Sequence, residues 1–330
     1  MQTTHVEPRP APAGAGLFSS PAFRTRHHLL ALEGMSREEI LALLDAADRW
    51  RERFRSCDRR PTDTLAGVTV CNAFFEDSTR TRVSFELAER RLGAVPVSFS
   101  ADGSSLSKGE TLLDTLRTIV SMHVDVLVLR HRASGAAAAV VRALDVTVIN
   151  AGDGAHEHPT QGLLDLLTLR HAWGGRFEGR RLVIVGDIAH SRVARSAIHG
   201  LTALGARVTV AGPATLMPPD VEGLGCERVA SLDRALDGAD AAMALRIQRE
   251  RMESGLVPSL SEYAREWGLD AKRLARMAPN AVVMHPGPMN RGVEIAPEVA
   301  DGSRSVVFEQ TENGVAVRCA VLERCRKEAA

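Results

Sequence analysis

The stretch Gly67-Val68-Thr69-Val70-Cys71-Asn72-Ala73-Phe74-Phe75-Glu76-Asp77-Ser78-Thr79-Arg80-Thr81-Arg82 decides how the chain is read. It opens as a β-branched run, crosses a charged, hydroxyl-rich loop and enters a segment of helical spacing that continues to Arg91. A strand that feeds a helix in this way is the building unit of a parallel α/β sheet. The helix start carries the hydroxyls of Ser78, Thr79 and Thr81 and the guanidinium groups of Arg80 and Arg82. A helix N-terminus attracts anions, because its first N–H groups point outward and its dipole end is positive. Capping alone would explain Ser78 or Thr79, but not two arginines set where the dipole disfavours cations. An anion offsets that repulsion, and the arginine fork matches phosphate oxygens, so the loop is read as a phosphate cradle.

Outward from this unit the alternation continues. Strands are expected at Gly67–Ala73, Val95–Ser100, Asp125–Leu129 and Val146–Asn150, with helices at Thr79–Arg91, Glu110–Met122 and Gly135–Ala143. A second set of strands is expected at Arg181–Val185, Arg207–Ala211, Ala239–Ala244 and Ala281–Met284, with helices at Arg192–Leu204, Leu232–Leu236 and Asp270–Met277. The pattern predicts an α/β protein of two doubly wound parallel-sheet domains joined by interdomain helices. The seam falls on the apolar helix after Pro159, which carries Leu163, Leu164, Leu166 and Leu167. A last helical run, from about Gly314 to Glu328, is expected to fold back on the first domain. Upstream, Ser36 and Glu39 form a capping box before a helix with Ile40, Leu43, Leu44, Ala47 and Trp50 at helical spacing. Residues 1–22, rich in Pro, Ala and Gly, are read as a disordered extension.

Two domains suit a chain of 330 residues, and 45% apolar with 25% charged residues is an ordinary globular composition. Lys plus Arg and Asp plus Glu both number 41, so no global charge draws the chain to nucleic acid or to an acidic membrane. The five cysteines form no CxxC pair, which argues against a disulfide framework and a zinc site. No apolar run reaches membrane-spanning length and no signal-peptide layout opens the chain, so a cytoplasmic location is expected.

Further loops at strand ends hold the remaining candidates, because ligands of such sheets bind beyond the carboxyl ends of strands. Arg130 closes one strand. His156-Glu157-His158-Pro159-Thr160-Gln161 invites a metal reading, but it contains no HExxH and no third ligand set lies nearby; no metal and no cofactor are expected. Val185-Gly186-Asp187 imitates a dinucleotide loop without GxGxxG or a later acidic ribose ligand. Ser104-Ser105-Leu106-Ser107-Lys108-Gly109-Glu110-Thr111 is a polar loop in which Ser107 or Thr111 can cap the next helix. Arg192 again sets arginine at a helix start, and Arg246 follows a strand end. His285-Pro286-Gly287-Pro288 can present backbone carbonyls at fixed positions.

The run Phe75-Glu76-x-Ser78-Thr79-Arg80-Thr81-Arg82-x-Ser84-Phe85-Glu86 resembles the carbamoyl phosphate signature of the aspartate and ornithine carbamoyltransferases. His158-Pro159-Thr160-Gln161 resembles that family's His-Pro-x-Gln element, and the likeness extends from about Phe23 to Cys325. The resemblance implies that residues 23–160 bind carbamoyl phosphate and 161–307 bind aspartate, with a helix in 308–330 returning to the first domain. It gives carbamoyl phosphate to Ser78, Thr79, Arg80, Thr81, Arg130, His158 and Gln161 and to the backbone of Gly287 and Pro288. It gives aspartate to Lys108, Arg192, Arg246 and Gln248, and pairs Glu76 with arginines of the second domain, Arg251 among them, on domain closure. Of these, Arg80, Thr81, Arg130 and His158 would take the catalytic roles. The loop bearing Lys108 would enter a neighbouring subunit's site, with Ser104 and Ser105 both fitting the accompanying serine, so a homotrimer or a multiple of trimers is implied.

His-Pro-Gly-Pro in place of His-Cys-Leu-Pro, and the absence of Ser-Met-Gly, point to the aspartate branch. Charge agrees: carbamoyl phosphate and aspartate are both dianions, and Arg80, Lys108, Arg130, Arg192 and Arg246 make a cationic site. The implied activity is transfer of the carbamoyl group to L-aspartate in de novo pyrimidine biosynthesis. A carbamoyltransferase for ornithine or its derivatives is the alternative, and a silent assembly partner is a third reading. The sequence leaves open a regulatory or dihydroorotase partner.

Overall fold

The computed structural model describes residues 28–100, 110–247 and 259–325. The chain enters through α1 (Arg37–Arg55), whose N-terminus is the expected capping box: Ser36 accepts from the Glu39 N–H and Glu39 accepts from the Ser36 N–H. The first sheet contains β1 (Thr69–Phe74), β2 (Val95–Ser100), β3 (Val126–His131) and β4 (Thr147–Asp153), connected through α2 (Thr79–Arg91), α3 (Leu112–Val120) and α4 (Ala136–Ala143). All four strands are parallel in the order β2-β1-β3-β4. Pro96 pairs opposite Val70 on edge strand β2, where a missing N–H leaves no gap in a ladder. Cys71–Phe74 and Val126–Arg130 are buried, as strands of a sheet covered on both faces should be, with Asn72 and Arg130 the polar members.

After α5 (Pro159–Ala172) the second sheet begins with β5 (Arg181–Val185), α6 (Arg192–Ala203), β6 (Arg207–Ala211), β7 (Glu227–Arg228), α7 (Leu232–Leu236) and β8 (Ala241–Ala244). It continues through α8 (Leu260–Trp267), α9 (Ala271–Leu274), β9 (Val282–Met284) and α10 (Pro297–Ala300). This sheet is also parallel, in the order β7-β6-β5-β8-β9. The last helix, α11 (Val307–Glu323), packs on α1, α5 and α2.

The two-sheet architecture therefore matches the sequence expectation, with local corrections. The last helix begins seven residues before Gly314 and ends at Glu323, because its buried face includes Gln310, Asn313 and Arg318, which interrupt the apolar period. Helix α9 stops at Leu274, where Ala275 caps it and the chain turns through Met277. Strand β7 is two exposed residues long, and α8 and α10 are short, so none of the three left a periodic signature.

Both sheets have a topological switch, between β1 and β3 in one and between β5 and β8 in the other. Loops leaving adjacent strands there diverge to opposite faces and open a crevice at the strand ends. Helix α5 holds the two halves together. It is buried nearly all round, and one continuous core joins Val70 and Phe85 through Leu163 and Leu166 to Ile184 and Met243. No helix among the described residues is long and apolar enough to cross a membrane.

A buried carboxylate fixes the join. Glu157 accepts hydrogen bonds from the N–H groups of Leu32 at 2.8 Å and Glu33 at 2.9 Å, and from Ser196 Oγ of α6 at 2.7 Å. Ser196 Oγ in turn accepts from the His158 N–H at 2.9 Å. Glu157→Ala leaves two buried donors and one partly buried donor without their acceptor and should lower stability by about 3 kcal/mol. Denaturant titration checks this; a loss within experimental error would contradict the clasp.

Candidate active site

The two switch points face a cleft of about 800 Å³ lined by the ends of and loops after β1, β3, β4, β5, β8 and β9 together with α5 and α11. That volume accommodates two small polar substrates side by side. Of the expected residues, Glu76, Ser78, Thr79, Arg80, Thr81, Arg130, His158, Gln161, Arg192, Arg246, Gly287 and Pro288 all line it. Lys108, Gln248, Arg251, Ser104, Ser105 and Ser107 lie outside the described residues.

At the start of α2, Ser78 occupies the capping position without making a side-chain cap; its hydroxyl donates instead to Thr81 Oγ1 at 2.9 Å. The first turn contains no acidic residue. Arg80 makes no hydrogen bond or ion pair to any described residue, and burial, then the neighbouring Arg246, lowers its pKa. In contrast, Thr111 does cap its helix, accepting from the Asp114 N–H. The hydroxyls and cations at the α2 N-terminus are thus left for an anion.

Across the cleft floor Glu76 joins the halves. Its Oε1 accepts from Arg130 Nη2 at 2.6 Å and from Arg192 Nη2 at 2.5 Å, and its Oε2 accepts from Arg192 Nη1 at 3.0 Å. Burial by itself would raise the Glu76 carboxyl, but the hydrogen bond from Arg192 and the charges of Arg130 and Arg192 outweigh it and hold it below the usual range. Arg130 is buried; desolvation first, then Arg192, pulls it down to about 10. The expected partner of Glu76 in the second domain is here Arg192, the residue the resemblance gave to aspartate, and Arg130 of the first domain shares the carboxylate. The meeting needs glycine at position 152, where φ is +115° and a Cβ would stand 3.0 Å from both Arg130 Nη1 and Arg192 Nε.

His158 is buried at the start of α5, and burial, then Arg130 and Arg192, lowers its pKa well below the ordinary value. It is therefore a neutral imidazole, able to donate one hydrogen bond without taking a proton. On the far wall, Gly287 has a φ of +63° and lies against Arg80, since a Cβ there would be 3.3 Å from the guanidinium carbon. The Gly287–Pro288 bond is cis. Glu33, His156 and Glu157 come close enough to suggest a cation site. Glu157 is committed to the clasp described above, and His156 Nδ1 faces Asp153 at 3.1 Å, so two of the three already hold structural partners.

Two matches to known families cover this geometry: "Aspartate/ornithine carbamoyltransferase, carbamoyl-P binding domain" over residues 27–171, and the corresponding "Asp/Orn binding domain" over residues 178–325. The chain belongs to the aspartate/ornithine carbamoyltransferase family. Within it the chain groups with aspartate carbamoyltransferase catalytic subunits. It is 57% identical to that of Gluconobacter oxydans over 298 residues, covering 90% of this chain and 95% of the relative. It is 55% identical to that of Myxococcus xanthus, covering 90% and 99%. A Trypanosoma cruzi aspartate transcarbamoylase in complex with N-(phosphonacetyl)-L-aspartic acid superposes with a TM-score of 0.80 at 33% identity, covering 90% of this chain and 95% of that one. Pyrococcus furiosus ornithine carbamoyltransferase gives the same TM-score at 29% identity, covering 89% and 95%. Backbone shape does not separate the two branches of this carbamoyltransferase family; sequence identity places the chain with the aspartate branch.

Several side chains at the cleft were not foreseen. Arg318 of α11 lines it, wholly buried, with its guanidinium 5.0 Å from the Phe85 ring centre, and burial brings its pKa down to about 10. Gln310 also comes from α11, and His285 contributes an imidazole as well as a loop backbone. The signal available for Gln310 and Arg318 was polarity inside a helix otherwise facing the core. Burial, then Arg80 and Arg246, pushes His285 down to about 3. In the unfolded chain it titrates near pH about 6.5, so between that pH and about 3 the unfolded state binds more protons. Stability therefore falls as pH drops through this window, by up to about 1.4 kcal/mol per unit for this group. His285→Asn should flatten the slope in denaturant titrations between pH about 6 and 4; an unchanged slope would contradict the neutral buried imidazole.

Proposed function

We propose that the chain transfers the carbamoyl group of carbamoyl phosphate to the amino group of L-aspartate, forming N-carbamoyl-L-aspartate and phosphate, a step of de novo pyrimidine biosynthesis in the cytoplasm. The observation that carries this reading is Arg80, without a partner among the described residues, set with Ser78, Thr79 and Thr81 at a helix N-terminus that opens on a cleft containing Arg130, Arg192 and Arg246. Residues 23–160, with the helix of 308–330, take carbamoyl phosphate; residues 161–307 take aspartate.

In the proposed mechanism the phosphate rests on Ser78, Thr79, Arg80 and Thr81, and Thr81, Arg130 and His158 surround the carbonyl oxygen. Gln161 and the carbonyls of Gly287 and Pro288 accept from the carbamoyl NH2. The neutral amine of aspartate attacks the carbamoyl carbon, and the carbonyl π electrons move to oxygen, where the three donors hold the oxyanion. The C–O bond to phosphate then breaks with its electron pair going to phosphate, which also receives the amine proton. No protein nucleophile is required, and the barrier falls through positioning and electrostatics. Arg192 and Arg246, with Lys108 and Gln248, bind the aspartate carboxylates. A carboxylate arriving at Arg192 competes with Glu76, which then turns to Arg251.

A homotrimer, or a multiple of trimers, completes the site through Lys108 of a neighbouring subunit. The surface supports this: Val83 and Leu87 of α2 and Val95 and Val97 of edge strand β2 are exposed apolar residues, immediately before the 101–109 segment that carries Lys108.

Arg80→Ala should lower kcat for carbamoyl aspartate formation by about a hundredfold or more. Near-normal turnover would sink the cradle. Arg80→Ala and Lys108→Ala chains, each strongly impaired alone, should regain activity when dissociated and reassembled together. No recovery would contradict a shared site.

A further inference from the structure

Asp165 is the single charged residue in the apolar run Leu163–Leu169, and it is buried. Its Oδ1 accepts two hydrogen bonds, from Gln161 Nε2 at 3.0 Å and from Gln310 Nε2 at 2.7 Å. Its Oδ2 has no hydrogen-bond partner among the described residues. Gln310, also buried, accepts at Oε1 from the His285 N–H at 2.9 Å, and His285 Nδ1 accepts from the Gly287 N–H at 2.8 Å. Two arms thus run from one oxygen atom. One goes a helical turn back along α5 to Gln161, and the other crosses to α11 and on into the His285–Pro288 loop.

An accepting oxygen dictates how an amide is turned. With Nε2 committed to Asp165, Gln161 has its carbonyl oxygen left for the cleft. Gln310 is turned likewise, so its own carbonyl can hold the loop backbone. We propose that Asp165 is a positioning residue that sets both walls of the pocket for the carbamoyl NH2, and so makes the site select a carbamoyl over an acyl phosphate. This rests on the carbamoyl-transfer reading above and names the group that enforces its substrate choice. Burial pushes the Asp165 carboxyl up to about 7. A proton taken there belongs on the unpartnered Oδ2, which leaves Oδ1 accepting in both ionisation states.

The test compares two ligands that differ in one group: carbamoyl phosphate, and acetyl phosphate, which has a methyl where the NH2 stands. The KM of the first and the inhibition constant of the second are measured on the full-length protein, unsubstituted and as Asp165→Leu, Asp165→Asn and Gln310→Leu. Asp165→Leu should raise the KM about tenfold while the acetyl phosphate constant moves less than about twofold. Asp165→Asn should restore both values to near those of the unsubstituted protein, because its Oδ1 still accepts. Gln310→Leu, which keeps the Asp165–Gln161 bond, should show the same selective loss to a smaller degree, and it carries the test if Asp165→Leu does not fold. Parallel weakening of both ligands, or an Asp165→Asn enzyme as impaired as Asp165→Leu, overturns this inference alone. Absence of carbamoyl transfer by the unsubstituted protein overturns the functional reading and this inference with it.

Discussion

Glu76, gripped by Arg130 at the end of β3 and by Arg192 at the start of α6, makes the interaction on which the remaining structure depends. The cleft gathers Arg80, Arg130, Arg132, Arg192, Arg246 and Arg318 where water is partly excluded and like charges repel strongly. Glu76 offsets one of the two positive charges that meet on the cleft floor, while Arg80 is left without a described partner. Such an arrangement is tolerable only because the backbone forces it. Two switch points deliver the loops to one crevice, α5 welds the sheets into a continuous core, and Gly152 clears the space in which the arginines converge. The unfavourable charge density then becomes binding energy for two dianions.

A second layer works with neutral groups. His158 and His285 are uncharged because burial beside arginines makes protonation costly. Asp165 has amide partners rather than a cation, so it orients hydrogen bonds without cancelling the positive field. The division is physically economical: arginines set the potential, while amides and imidazoles set direction. Reaction of an amine with an activated carbonyl needs both, and neither requires a covalent enzyme intermediate.

Much of this was legible in the sequence, for reasons that differ by element. Thr79–Arg91, Val95–Ser100, Arg181–Val185 and Arg207–Ala211 have the same bounds in sequence and structure. Polar loops, or a β-branched run against an amphipathic one, mark their ends clearly. The α2 N-terminus stood out in the sequence because arginine there contradicts the dipole, and its reading as a phosphate cradle belongs to the proposed function. What the sequence hid is cooperative. Nothing local announces that Glu76 meets Arg192 at a separation of 116 residues, or that Asp165 and Gln310 meet at 145. Buried polar residues also blurred α11, since Gln310, Asn313 and Arg318 look like a solvated face until their partners are known.

The choice of acceptor rests on fewer groups than the phosphate cradle, and backbone shape is common to both branches of the family. Initial rates of carbamoyl phosphate consumption, measured on the purified protein with L-aspartate and with L-ornithine at matched concentrations, address it most directly. The account predicts saturable turnover with aspartate and none above background with ornithine. Turnover with ornithine, or with neither amine, would contradict it.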